Sequence, residues 1–195
     1  EQPDLAPVWK GFINRFVKIG YVPADVPLLG FNPPLPVFTA LALDGRTVNT
    51  KKLYKQKPLV LLIFSPNCSH CQHELDFLYG LYTGEEFKNA FEIVAISRMD
   101  AKATTAFVKQ KGYSFPVLLD NEGAITALFP SFLGSVPLSY LVDRSGRINY
   151  QHTGFSDYTI DNYIMELREL CGLPNPPRLN PSGYSGQERC SVCHE

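Results

Sequence analysis

The sequence predicts one α/β domain built on a central mixed sheet with helices on both faces, and three observations carry that prediction. Residues 59–64 are apolar without interruption, as in a central strand covered on both sides. A second apolar run, 91–96, follows a helix-length segment, 68–86, which makes a βαβ unit. Two further runs, 139–143 and 148–151, flank Arg144, Ser145, Gly146 and Arg147 and read as an antiparallel hairpin. The 195 residues allow one ordinary domain with extensions. Hydrophobic residues are 45% and charged residues 19%, a globular balance that excludes a disordered or collagen-like chain. With 18 basic and 19 acidic side chains the net charge is −1, so no bulk electrostatic pull towards nucleic acid or an anionic membrane is expected.

Taken in order, residues 1–30 form an N-terminal helical extension, because Val8, Trp9, Phe12, Ile13, Phe16 and Val17 recur at helical spacing. It reads as a helix docked on the domain; Lys10, Arg15 and Lys18 make too thin a basic face for one lying in a membrane. Prolines at 23, 27, 33, 34 and 36 then punctuate an extended approach to a short β-hairpin turned by Asp44-Gly45. The domain proper spans 31–173. After the two apolar strands come a helix over 101–111, a strand over 115–120 and a shorter helix over 122–129. Asp157 or Thr159 caps a last helix carrying Ile160, Tyr163, Ile164, Leu167 and Leu170, which Gly172 and Pro174 stop. Residues 174–195 are a Pro/Gly-rich linker and a terminal stub. No apolar run is long enough to span a bilayer. The first residues lack the basic and apolar regions of a signal peptide and there is no initiator Met, so the chain reads as beginning either after a cleavage or at an arbitrary boundary, with any signal or anchor segment outside it.

Five cysteines are too few for a disulfide scaffold, but four of them form two C-x-x-C pairs, Cys68/Cys71 and Cys190/Cys193. Cys68 falls where a buried strand gives way to a helix. Free backbone amides and the positive end of the helix dipole favour a thiolate there, which makes Cys68 the expected nucleophile. Cys71, one turn deeper, is expected to be shielded and to act second, resolving a mixed disulfide. A zinc site would need two further ligands; the domain has no second pair, and His70 and His73 lie too close in sequence to complete one, so redox chemistry is favoured over metal.

From about residue 36 to about residue 171 the chain resembles the thioredoxin superfamily, and within it the exported TlpA/ResA-like thiol-disulfide oxidoreductases. The resemblance rests on 59–71, ending Cys68-Ser69-His70-Cys71 and followed by Glu74. It rests also on 94–97, on 113–120, and on Val136-Pro137 ahead of 139–146. It implies a thioredoxin-like fold and a protein thiol or disulfide client. It also implies a cis Val136-Pro137 bond whose loop lies beside the cysteines, so that Val136 backbone groups can pair with an extended client segment. An X-Pro bond is the only kind for which a cis form is cheap. Leu138 stands where the family often has Thr, and Leu62 where thioredoxin itself carries a buried acid. Glu74 matches an acidic position of the family. Either it is desolvated and exchanges a proton with Cys71, or it is a solvated helix residue, since periodicity does not set its depth. Ser69 and His70 complete the active-site loop, His70 either tuning Cys68 or facing water. His73 and His152 read as surface residues and Cys171 as a small buried apolar one.

The tail Cys190, Cys193, His194 has the C-x-x-C-H form of c-type haem attachment, two thioethers and an axial imidazole. The expectation is a truncated start of a multihaem cytochrome region in the same polypeptide. No haem is expected in the chain as it stands, because the tail offers no apolar pocket. Thiol exchange itself needs no cofactor. The resulting expectation is an extracytoplasmic (periplasmic or cell-envelope) thiol-disulfide oxidoreductase. Three alternatives are an electron-transfer module serving the haem region, a redox-inactive adaptor, and a peroxiredoxin. The last expects Ser or Thr three residues before the attacking Cys, met by Ser65, and Pro seven before, where Leu61 stands.

Overall fold

The computed structural model describes residues 32–129 and 132–174. The extension over 1–30 and the stub with Cys190, Cys193 and His194 lie outside the described residues.

Strands β1 (Thr39–Leu41) and β2 (Thr47–Asn49) form the antiparallel hairpin expected around Asp44-Gly45, with Gly45 at φ 84°. Helix α1 (Thr50–Gln56) follows at once; Asn49 caps it by accepting from the Lys52 N–H. Next come β3 (Leu59–Phe64), α2 (Ser69–Thr83), β4 (Glu92–Ser97), α3 (Ala101–Lys111) and β5 (Val117–Leu119). They are followed by β6 (Leu138–Val142), β7 (Ile148–Thr153) and α4 (Asp157–Cys171). The order in the main sheet is β5-β4-β3-β6-β7, with β3, β4 and β5 mutually parallel and β6 and β7 antiparallel to their neighbours, hence a mixed sheet.

The uninterrupted apolar character of β3 follows from its central place. Val60, Leu62 and Phe64 face one core with Leu75 and Leu78 of α2, Phe107 of α3, and Tyr163 and Leu167 of α4. Leu59, Leu61 and Ile63 face the other with Val48, Tyr54 of α1, Leu118, Tyr140 and Ile148. Alternate residues of a strand point to opposite faces, so a strand with two cores can afford no polar side.

Three expectations need correction. The helix expected over 122–129 shrinks to a 3₁₀ turn, Thr126–Leu128, because the Asp120 carboxylate takes the N–H groups of Ile125 and Thr126. The last helix starts behind Ser156, not Asp157 or Thr159; the Ser156 N–H donates to Thr159 Oγ1 at 2.9 Å, so Thr159 serves as the return half of a capping box. His152, read as a surface residue, is only 6% exposed. A β-bulge between β6 and β7 is the reason: Val142 pairs with Ile148 and Leu141 with Tyr150, which turns Tyr150 and His152 onto the face under α2 and α4.

Candidate active site

Strand β3 ends at Phe64, and Cys68 is the N-cap of α2, with extended backbone (φ −97°, ψ 115°) and half-buried. Its Sγ accepts a hydrogen bond from the Cys71 N–H at 3.2 Å, so an otherwise orphaned helix amide faces the sulfur where negative charge develops. On its other side the Cys68 thiol reaches the Val136 carbonyl oxygen at 3.8 Å. The Val136-Pro137 bond is cis, and Pro137 leads directly into β6, whose Leu138 pairs with Ile63 of β3. Sheet register therefore brings the proline loop to the cysteine pair across 68 residues of chain. Ser69 and His70 are exposed on the first turn of α2. A cleft of about 550 Å³ opens beside them, lined by His70, Val136, Pro137, His152, Gly154 and Phe155 among others.

Cys71 is fully buried. Burial pushes its thiol far up, and the neighbouring Cys68 sulfur and Glu74 charge push the same way, while a backbone hydrogen bond from Ser65 opposes them. Glu74, one turn further along α2, is also fully buried, which decides between its two readings: it is not a solvated helix residue. Desolvation raises its carboxyl from 4.5 to about 7, against the opposing pull of hydrogen bonds from Tyr163 and Ser139 and of the charge on His152. The Tyr163 hydroxyl donates to Glu74 Oε1 at 2.6 Å and is also hydrogen-bonded to the Ser139 hydroxyl. Glu74 Oε2 has no partner. A buried carboxylate with one tied and one untied oxygen, titrating near neutrality on the helix that carries a shielded thiol, can receive that thiol's proton.

Tyr163, Ser139, His152 and Glu166 were not singled out as site residues by sequence reasoning. Tyr163 was read as core, and its hydroxyl gave the only hint that its burial must include a polar partner. His73 is exposed, as expected. Cys171 is half-buried rather than buried, its thiol pushed up to about 11 by desolvation and set 3.6 Å from the Ala90 carbonyl oxygen. The Ser65 hydroxyl accepts from the Asn67 N–H at 3.4 Å, within its own loop. Among the described residues no group of three His, Cys, Asp or Glu side chains is arranged to hold a metal.

Comparison with known proteins gives the same picture. The chain is 29% identical over 132 residues to the thiol-disulfide oxidoreductase ResA of Bacillus thuringiensis, covering 67% of this chain and 74% of that protein. A secreted disulfide oxidoreductase of Mycobacterium tuberculosis superposes with a TM-score of 0.55 at 26% identity, over 68% of this chain and 96% of that one. A thiol:disulfide interchange protein of Chlorobium tepidum superposes with a TM-score of 0.63 at 18% identity, over 76% and 100%, which speaks to the thioredoxin-like fold alone. The pattern of the AhpC/TSA family matches residues 32–151, most of the chain including the whole cysteine and proline site, and the chain belongs to that family.

Proposed function

We propose that this chain is a thiol-disulfide oxidoreductase that exchanges disulfides with a protein client through Cys68 and Cys71. The observation that carries the reading is the placement of a half-buried sulfur at a helix N-cap, 3.8 Å from the carbonyl that precedes a cis proline, with a fully shielded second thiol behind it. In the reducing direction the Cys68 thiolate attacks one sulfur of the client disulfide. A mixed disulfide forms and the other client sulfur leaves as a thiolate. Glu74 then takes the proton of Cys71, whose sulfur attacks Cys68 Sγ; the Cys68–client bond breaks, the client leaves with two reduced sulfurs, and the pair is left as a disulfide. The oxidising direction is the same sequence reversed. Pro137 shapes the docking loop, and the Val136 backbone beside it offers an extended client segment a pairing edge. The cleft along His70 and Phe155 gives such a segment room. An extracytoplasmic setting is part of this proposal, supported by the secreted M. tuberculosis neighbour; among the described residues no helix is long and apolar enough to cross a membrane.

The test is a Cys71→Ser trap. Incubated with disulfide-bearing clients, the variant accumulates a mixed disulfide through Cys68, and the double variant with Cys68→Ser accumulates none. Capture through a different cysteine, or turnover of peroxide by Cys68 with no disulfide exchange, would overturn the reading.

A further inference from the structure

His152 borders the cleft, and the ring it stacks on, Tyr163, donates to the buried carboxylate. His152 of β7 lies opposite Ser139 of β6 in the sheet register, and its ring stacks on that of Tyr163 with centroids 4.4 Å apart and planes 22° from parallel. Tyr163 and Ser139 are the two hydroxyls that hold Glu74. On the other side His152 Nε2 meets Glu166 Oε2 at 2.5 Å, and His152 lines the cleft. The ring is thus fixed on three sides: by a stacked phenol, by a carboxylate, and by the strand that carries Ser139. Nothing in disulfide exchange itself requires a histidine–carboxylate pair at this point.

We propose that His152, held by Glu166, is a positioning residue that sets the protonation of Glu74, and through it the pH range in which Cys71 can give up its proton. This rests on the exchange mechanism proposed above. The titratable groups around Glu74 are Cys71 on its own helix, Tyr163 on α4 and His152 on β7. Those around His152 are Glu166 and Tyr163 on α4, Glu74 on α2, and His70 across the cleft. A positive imidazole favours the Glu74 carboxylate through a poorly screened interior. Glu166 fixes the ring in that place through its contact with Nε2. Client binding and proton acceptance are then adjacent, because the same ring borders the cleft and the phenol that holds the base.

The experiment is a carboxyl-carbon NMR titration of Glu74 in the reduced full chain, with the His152 ring followed in the same samples. In the wild type the Glu74 signal inflects a second time at the pH where the His152 ring titrates. In His152→Gln that inflection disappears and the main midpoint rises by about one pH unit. The ionised fraction at pH 7 then falls about fivefold, and the disulfide-exchange rate at that pH falls with it. A Glu74 titration that ignores the His152 ring and is unchanged in the variant overturns the proposal. So does a loss of exchange at every pH with the midpoint fixed, which marks a structural role. Should His152→Gln fail to fold, the wild-type titration decides alone. Coupling without any exchange would refute the exchange mechanism and leave the pair standing, whereas exchange without coupling would refute only the role of His152.

Discussion

Replacing Glu74 by Gln should make the protein less active and should change its stability with pH in a defined way, lowering it in acid and raising it above neutrality. The folded protein holds the Glu74 proton up to about pH 7, whereas an ordinary carboxyl releases it near 4.5. A group whose folded value is raised favours folding fully below its unfolded value, and that contribution is lost as pH rises through the folded value. The difference corresponds to about 3 kcal/mol lost between pH 4.5 and 7. Gln keeps the hydrogen bond from the Tyr163 hydroxyl and cannot ionise, but it places an amide where Oε2 already lacks a partner, at about 1 kcal/mol independent of pH. Urea unfolding under reductant should therefore show Glu74→Gln about 1 kcal/mol less stable than wild type at pH 4.5 and about 2 kcal/mol more stable at pH 8.5. Other titrating groups cancel in the difference. The resolving step should slow in the same variant, seen as a longer-lived mixed disulfide. A stability difference that stays flat across this range would refute the assignment of a desolvated, proton-holding Glu74.

Tyr163→Phe removes the donor to Glu74 Oε1; the carboxyl should move further up, and stability at pH 8 should fall by about 2 kcal/mol, measured by the pH dependence of exchange and by urea unfolding. Gly146→Ala should cost at least about 2 kcal/mol in thermal or chemical unfolding, because φ is 85° there and a Cβ would fall 2.5 Å from Cζ of the buried Tyr54. Cys190, Cys193 and His194 supply two thiols and an imidazole, the donor set for covalent haem. The native polypeptide isolated from its own cells should give a c-type pyridine haemochrome band that Cys190→Ser weakens. A colourless native protein would remove haem from the account.

The strands and helices that face two cores or one clear stripe were legible in the sequence. The run 59–64 is β3 to the residue, and 101–111 is α3, capped by Asp100 and closed by Gly112 in the left-handed region. Helix α1 was missed because seven residues with two lysines in their first turn carry little periodicity; the usable signal was Asn49 placed three residues before Lys52. Depth was harder still. Glu74 and a surface glutamate look alike in one sequence, since burial depends on α4 closing over α2 from the far end of the chain. His152 was misplaced for a sharper reason: one inserted residue near Asn149 shifts the register of β7, and no local composition announces a bulge.

The pairing of Ile63 with Leu138 means that Pro137, the residue just ahead of β6, is tied by main-chain hydrogen bonds to the strand that leads to Cys68. Sulfur and proline are thereby borne on adjacent strands, and their spacing persists for as long as that ladder does.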